Sequence, residues 1–489
     1  MLTVLAAGPP KAQLTFHPIA PELILVGTAI LLLLLDALKP DAVHVAHALI
    51  ALGGLAGAAA YSIWLWTWDG PPTVLGNMVA ADRFGVFIRL VLIGVAAVAV
   101  HLSYHYLERA DEAKGEYYPL LLFATAGMTL IASASDLIVV FLALEILSLS
   151  LYLMTGFSFR RLASAEASMK YFLLGAFSSA FFLYGIALAY GASGTTNLAA
   201  IGQKLAGQTS VGLGLAAAGL MAVGFAFKVA AVPFHMWTPD AYQGAPTSVT
   251  AFMSAGTKVA AFAAFLRVFN VAFHPYVNDW RPFVWVMAAV TMVVGSTLAI
   301  AQANLKRMLA YSSIAHAGFI LVGVAAGSPQ GIQAAMFYLA AYATMIIGAF
   351  GVVMLVSVRS ERHLSLGSYA GLARRSPFLA GVLALFLLSL AGIPPTAGFI
   401  AKVAVFSAAI QAGYWPLVLI AVLASVIAAF FYIRVIVLMY MQEPVETEVI
   451  ERARWAELGV IVPAVLTVAF GVLPGILFGF LKSASVVRF

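Results

Sequence analysis

The sequence predicts an all-α membrane protein of about fourteen transmembrane helices, with two inverted five-helix repeats that each contain a broken helix. Three observations predict it. Hydrophobic residues make up 63% of the 489 residues and charged residues only 9%, with a mean hydropathy of +1.01, whereas a soluble chain is about a quarter charged. Apolar runs long enough for the roughly 20 residues that cross a bilayer recur along the whole chain. Two of those runs are interrupted by proline, at VAAVPFH around Pro233 and at LAGIPPTAGFIAK around Pro394 and Pro395.

The expected spans are 22–38, 43–64, 84–106, 118–132, 135–156, 167–191, 211–233, 247–270, 282–302, 308–326, 331–357, 378–410, 414–440 and 456–480. The polar connections around 65–83, 107–117, 192–210, 358–377 and 441–455 are too short to fold as domains. The start, MLTVLAAGPPKAQLTFHPIAPE, has neither a basic leader nor a full apolar core, so the first span is expected to act as its own insertion signal. A proline inside an apolar run removes one backbone donor and frees a carbonyl that lipid cannot satisfy. Each interrupted span is the fourth of a set of five: spans four to eight, then nine to thirteen. Five is odd, so the second set enters the membrane from the opposite face, and broken helices in such a pair mark an ion pathway near the midplane. The chain thus divides into N-terminal helices (1–117), a first five-helix repeat (118–270), a second, inverted five-helix repeat (282–440), and a C-terminal loop and final helix (441–489).

The net charge of +6 does not point to nucleic acid, because the bases follow the loops. With both termini outside, inner segments hold Lys39, Arg109, Lys114, Arg160, Arg161, Lys306, Arg307, Arg359, Arg362, Arg374, Arg375, Arg452 and Arg454, and outer ones only Lys11, Arg83, Lys204, Arg281, Lys482 and Arg488. That asymmetry is the positive-inside rule, and it reads as a topology signal. The chain has no cysteine, which removes disulfides, thiolate-held iron–sulfur clusters and cysteine zinc sites from it.

Four ionisable residues fall deep in the spans: Glu145 in FLALEILSLS, Lys228 in GFAFKVAAV, Lys258 in AFMSAGTKVAAF and Lys402 in FIAKVAVF. A lysine at the centre of a spanning helix costs about 2.5–3.5 kcal/mol on insertion scales, so four such groups point to a function. Arg89, Lys170, Arg267 and Arg434 sit nearer span ends and are expected to snorkel to the headgroups. Glu145 also has a bland reading, as one half of a structural ion pair. Glu145, Ser148 and Tyr152 share one face of the fifth span, and Thr247, Ser254 and Lys258 one face of the eighth. A lysine amine in apolar surroundings can take up or release a proton as a carboxylate approaches or retreats. Lys228 is therefore expected to carry protons beside a helix break that supplies free backbone groups. His235 and His316 are possible relay members. The other histidines show no metal-ligand spacing, and no phosphate-binding glycine motif is present.

The segments KVAAVPFHMWTPDAYQGAPTSVTAFMSAGTK, NLKRMLAYSSIAHAGF and EASMKYFLLGAFSSAFFLYG carry a resemblance over residues 20 to 480. The chain resembles the antiporter-like membrane subunits of respiratory complex I, and among them subunit N. The resemblance implies a 14-helix proton-channel subunit of NADH:quinone oxidoreductase with no catalysis of its own. Glu145 matches the family's fifth-helix glutamate, Lys228 its seventh-helix lysine, Lys258 its eighth-helix lysine and Lys402 the twelfth-helix residue of the exit half-channel. A lysine at Lys402 differs from the glutamate usual in subunit M, and PFHMWTPDAYQGAP differs from the PLHTWLPDA pattern of the sister subunits. The resemblance further implies a bacterial inner membrane, M-, K- and L-type neighbours, and NADH, FMN, iron–sulfur and quinone sites on other subunits. The alternative function is a subunit of an Mrp-type sodium/proton antiporter.

Overall fold

The computed structural model describes residues 15–38, 44–110, 114–207, 211–357, 364–445 and 454–485. Lys11, Lys39, Arg359, Arg362, Arg452 and Arg488, which contribute to the charge asymmetry above, lie outside the described residues. The elements in order are α1 (Ala20–Leu38), α2 (His44–Leu65), a two-stranded hairpin (Thr73–Val74 and Val79–Ala80), α3 (Arg83–Ala110), α4 (Tyr117–Ser133), α5 (Leu137–Thr155), α6 (Leu162–Ser193), α7 (Leu198–Ala206), α8 (Gly212–Val229), α9 (Trp237–Gly244), α10 (Thr247–Val271), α11 (Val277–Ile300), α12 (Leu305–Ala325), α13 (Pro329–Val356), α14 (Leu372–Arg375), α15 (Pro377–Ala391), α16 (Ala397–Gln411), α17 (Trp415–Met441), α18 (Arg454–Val472) and α19 (Pro474–Ala484). Among the described residues, 12 helices are long and apolar enough to cross a membrane, and α4, α15 and α16 are shorter apolar helices. Each of the fourteen expected spans coincides with a helix, except that the twelfth is the pair α15 and α16 and the fourteenth the pair α18 and α19.

Both breaks have the same local cause. Helix α8 ends at Ala230, which adopts the left-handed conformation (φ 62°), and α15 ends at Gly392 in the same region (φ 86°). In each, the next amide reaches back to the carbonyl five residues earlier, Ala231 to Ala226 and Ile393 to Leu388, which closes the helix end. A proline stands three residues beyond each left-handed residue, Pro233 and Pro395, and prevents the helix from resuming at once. The equivalent of Pro233 is thus Pro395 rather than its neighbour Pro394.

The two five-helix sets repeat each other in detail. The Leu137 amide bonds the Thr196 carbonyl and Leu198 returns to Ser135; 168 residues on, Leu305 bonds Leu364 and Leu366 returns to Ala303. The same register governs helix crossing. A side chain at Gly127 of α4 would lie 2.7 Å from the Leu147 nitrogen of α5, and one at Gly295 of α11 would lie 2.5 Å from the Ala315 nitrogen of α12. Small residues let backbones approach this closely. Most neighbour pairs among α4, α5, α6, α8, α9 and α10 recur among α11, α12, α13, α15, α16 and α17; the packing of α16 on α12 and α15 has no counterpart of like extent at α9. The cores of the two sets differ: α10, α12 and α13 are buried almost throughout, while α6 and α17 keep one apolar face open.

Two arginines expected at headgroup level are fully enclosed instead. Arg89 (1% exposed) donates to Glu22 at 2.8 Å and to the Pro18 carbonyl at 2.7 Å. Arg267 (0% exposed) grips both oxygens of Asp82 at 2.8 Å each and donates to the Ala132 carbonyl. Their partners lie at sequence separations of 67 and 185 residues, so neither pair shows in local sequence. The snorkelling expectation fits only Lys170, which pairs with Glu166 and Asp240, and Arg434, which reaches the Ile300 carbonyl; both are solvent- or lipid-accessible. Lys306, expected in an inner loop, is likewise buried, donating to the Ala245 carbonyl at 2.7 Å.

Candidate functional site

Each broken helix leaves a carbonyl at its end without an amide partner, and a buried ammonium meets it. Lys258, from the middle of α10, donates to the Val229 carbonyl at 2.7 Å. Lys402, from α16, donates to the Ala391 carbonyl at 2.7 Å and to Ser425 of α17 at 2.7 Å. Val229 and Ala391 are equivalent positions, each one residue before the left-handed residue. A helix C-terminus carries a partial negative charge that favours a cation there. The amines are therefore held by peptide dipoles, without a carboxylate.

Lys228 stands at the end of α8 beside α5. Its ammonium donates to Ser148 at 2.7 Å and lies 3.5 Å from the Tyr152 hydroxyl. The Glu145 carboxylate accepts from Ser179 of α6 at 2.6 Å, and it makes no direct ion pair with Lys228. Ser148 also donates to the Leu144 carbonyl of its own helix. Of the face predicted from the spacing, Ser148 and Tyr152 meet Lys228, while Glu145, one turn away on α5, is engaged by α6 instead.

His316 occupies in α12 the place that Ser148 holds in α5, at the 168-residue spacing described above. It is 1% exposed, and its ring nitrogens meet the hydroxyls of Tyr338 at 2.8 Å and Tyr432 at 3.2 Å. Tyr432 also bonds Ser312, and Tyr342 donates to Ser313 at 2.8 Å. The Lys402 ammonium lies 4.8 Å from the centre of the Phe319 ring, one helical turn beyond His316. Between the two halves, Thr257 and Ser313 lie beside the Tyr242 hydroxyl. The polar groups thus run in order from the partly buried Glu145 through the buried Lys228, Lys258, His316 and Lys402, a series of separate positions in the fold.

His235 is not brought into this series. It lies half-buried in the break loop beside exposed Met236, and its Nδ1 has no hydrogen-bond partner. The sequence reading missed Ser179, Ser312, Ser313, Tyr338, Tyr342, Tyr432 and Ser425. AYSSIAH offered a signal, since Ser312, Ser313 and His316 share one helical face; the tyrosines sit in apolar runs that look like ordinary core. Among the described residues, no cluster of histidine and carboxylates could hold a metal ion.

Paired broken helices with buried amines at their ends define a membrane ion-translocating protein of the antiporter-like class. The family model described as NADH:quinone oxidoreductase/Mrp antiporter, TM, matches residues 134–428. NADH-quinone oxidoreductase subunit N of Trichlorobacter lovleyi is 46% identical over 431 residues, covering 88% of each chain, and that of Rhodococcus opacus 44% identical over 518 residues, covering 96% of this chain and 95% of the relative. A chain of respiratory complex I from Thermus thermophilus with bound aureothin has a TM-score of 0.80 at 36% identity, over 94% of this chain and 98% of its own. A chain of the Mrp complex from Dietzia has a TM-score of 0.84 at 25% identity, over 96% and 97%. Backbone likeness does not separate the two functions, but identity does. The chain belongs to the NADH:quinone oxidoreductase/Mrp antiporter membrane family, among the subunit N relatives.

Proposed function

We propose that the chain is the proton-translocating N subunit of an NADH:quinone oxidoreductase in a bacterial inner membrane. Its relatives carry that name at 43–54% identity. Electron transfer belongs to other subunits, where NADH, FMN, iron–sulfur clusters and quinone bind. M-, K- and L-type subunits are its neighbours in the membrane. Residues 118–270 form the uptake half-channel and 282–440 the inverted exit half-channel.

The observation that carries the mechanism is the burial of Lys228, Lys258, His316 and Lys402, with amines on the free carbonyls of both helix breaks. A proton taken up near Glu145 passes to the Lys228 amine by way of Ser148, which accepts from Lys228 and lies one turn from Glu145. Lys258 takes it over at the first break. Hydroxyls of Tyr242, Ser313 and the tyrosines around His316 offer donors and acceptors across the middle, and Lys402 delivers it at the second break. An ammonium between a serine and a carbonyl is stable enough to form and has no carboxylate to trap it, which suits a carrier that must also release.

The test is the assembled enzyme in membrane vesicles. Lys228→Ala and Glu145→Gln each lower the proton-to-electron ratio or coupled quinone turnover several-fold, while NADH oxidation with an artificial acceptor and the amount of assembled complex stay near normal. If both variants assemble and pump at the wild-type ratio and rate, the two residues are structural and the relay fails.

A further inference from the structure

One apolar cavity lies away from the polar series. It is a cleft of about 630 Å³ between α2, α3, α13, α18 and α19, lined by Trp66, Val91, Val98, Ala343, Leu466 and Phe480 among others. Its outer end is closed by the ring contact of Trp66 with Phe480, 5.8 Å between centroids. On α3 its lining runs from Phe87 to Val98, which is about 16 Å at 1.5 Å per residue. One leaflet of a hydrocarbon core is about 15 Å thick. The cleft therefore has about the depth of one leaflet.

The mouth is basic and aromatic. Arg83 is exposed, its guanidinium 5.8 Å from the Trp66 ring centre and its Nε 3.4 Å from the Trp66 carbonyl, with no carboxylate partner among the described residues. Lys482 follows Phe480 by two residues in the last turn of α19 and is also exposed, with no partner among the described residues. Trp64 and Trp68 flank Trp66 in sequence, with their rings 5.7 Å apart. Aromatic rings at this level mark the headgroup region.

We propose that this cleft is a binding site for an anionic phospholipid of the outer leaflet, with one acyl chain between α3 and α18 and its phosphate between Arg83 and Lys482. Two observations choose this occupant. A quinone head has nothing to meet at the deep end, where Val98, Ile347 and Val462 are apolar and the Thr344 hydroxyl is engaged by the Ala341 carbonyl. An apolar chain with an anionic end matches both the walls and the two cations. The lipid lies against the face of α13 opposite Tyr338 and Tyr342, and so packs the back of a helix that carries the polar series.

The test uses the whole complex in nanodiscs with phosphatidylglycerol bearing a photoactivatable diazirine on its acyl chain, and peptide mapping of the adducts. Adducts on α3, α13 or α18 cleft residues are expected, at several times the yield from a phosphatidylcholine probe of the same chain. Gly94 of α3 lines the cleft, and a Cβ there meets nothing within 4 Å, so Gly94→Phe fills the cleft and lowers the adducts at least five-fold; Gly94→Leu gives an intermediate loss. The double variant Arg83→Gln with Lys482→Gln brings the two probes to equal yield. Unchanged labelling in Gly94→Phe, equal wild-type labelling by both probes, or displacement of the lipid by added quinone would each overturn the proposal.

Discussion

A buried charge is held by whatever its neighbours can offer, and the three deep lysines show two solutions. Lys228 relies on side-chain hydroxyls, Lys258 and Lys402 on the carbonyls that helix breaks leave open. The two carbonyls differ in reserve. Ser425 also points at the Ala391 carbonyl, at 3.4 Å, whereas Val229 has Lys258 as its donor. Removing the amine therefore costs more at the first break: Lys258→Ala leaves a buried carbonyl unmet, about 1–3 kcal/mol, while Lys402→Ala lets Ser425 close on it. Thermal melting of the purified complex should fall further in Lys258→Ala than in Lys402→Ala, and Ser425→Ala combined with Lys402→Ala should remove the difference. Equal melting shifts for the two single variants would mean that the carbonyls are not what these amines stabilise. The lysines themselves were legible in the sequence because a charge inside an apolar run has no neutral explanation. Their hydroxyl partners were not, because serine and tyrosine are common in helix packing and only the fold tells which of them face an amine.

At the scale of helices, prolines announced the two breaks, and the left-handed residue three positions earlier fixed where each half-helix ends. Ala230 is the less obvious of the pair, since alanine at positive φ carries a steric cost that glycine at Gly392 avoids. Helix pairs α4–α5 and α11–α12 depend on the absence of a side chain at one crossing point. A valine at Gly127 or Gly295 would press into the backbone nitrogen of the facing helix, and overpacking of this kind costs about 1–3 kcal/mol or more. Gly127→Val and Gly295→Val should each lower the yield of assembled complex and its melting temperature, and to a similar degree, since the contact is the same in both repeats. Alanine at either position should give a smaller loss of the same sign. If one variant is silent, the two crossings are not equivalent. The enclosed arginines belong to this scale as well. Reading Arg89 and Arg267 as snorkelling failed because their carboxylates sit on other elements, and a sequence window sees only its own helix.

For the molecule as a whole, composition and proline placement carried the class and the order of elements. The agreement of neighbour pairs between the two five-helix sets could not be read that way, because the sets share little sequence and the likeness lies in backbone hydrogen bonds and contact register. An odd number of crossings between equivalent elements makes the sets point in opposite directions. The chain has no native cysteine, so single introduced ones report without background. Lys204→Cys, after α6, should react with a membrane-impermeant maleimide from the outer face of intact cells. Arg374→Cys, in the segment of the second repeat equivalent to α7, should react only in inverted vesicles. Labelling of both from the same side would refute the inverted arrangement.

The grip of Arg267 on Asp82 also sets a timetable. Glu22 and Arg89 meet within the first three helices, so that pair can close as soon as α3 follows α1 into the membrane. Asp82 must wait for α10, 185 residues later; until then the hairpin segment after α2 is held by Ser135 and Asn197, which bond the Asn77 and Met78 carbonyls. During synthesis, seven crossings, α1 to α6 and α8, are threaded before the first outer loop acquires its final partner. An arrested nascent chain ending before Arg267 should leave that loop more open to protease than one ending shortly after α10. Biogenesis of this subunit thus has an early checkpoint and a late one, each guarded by a single arginine.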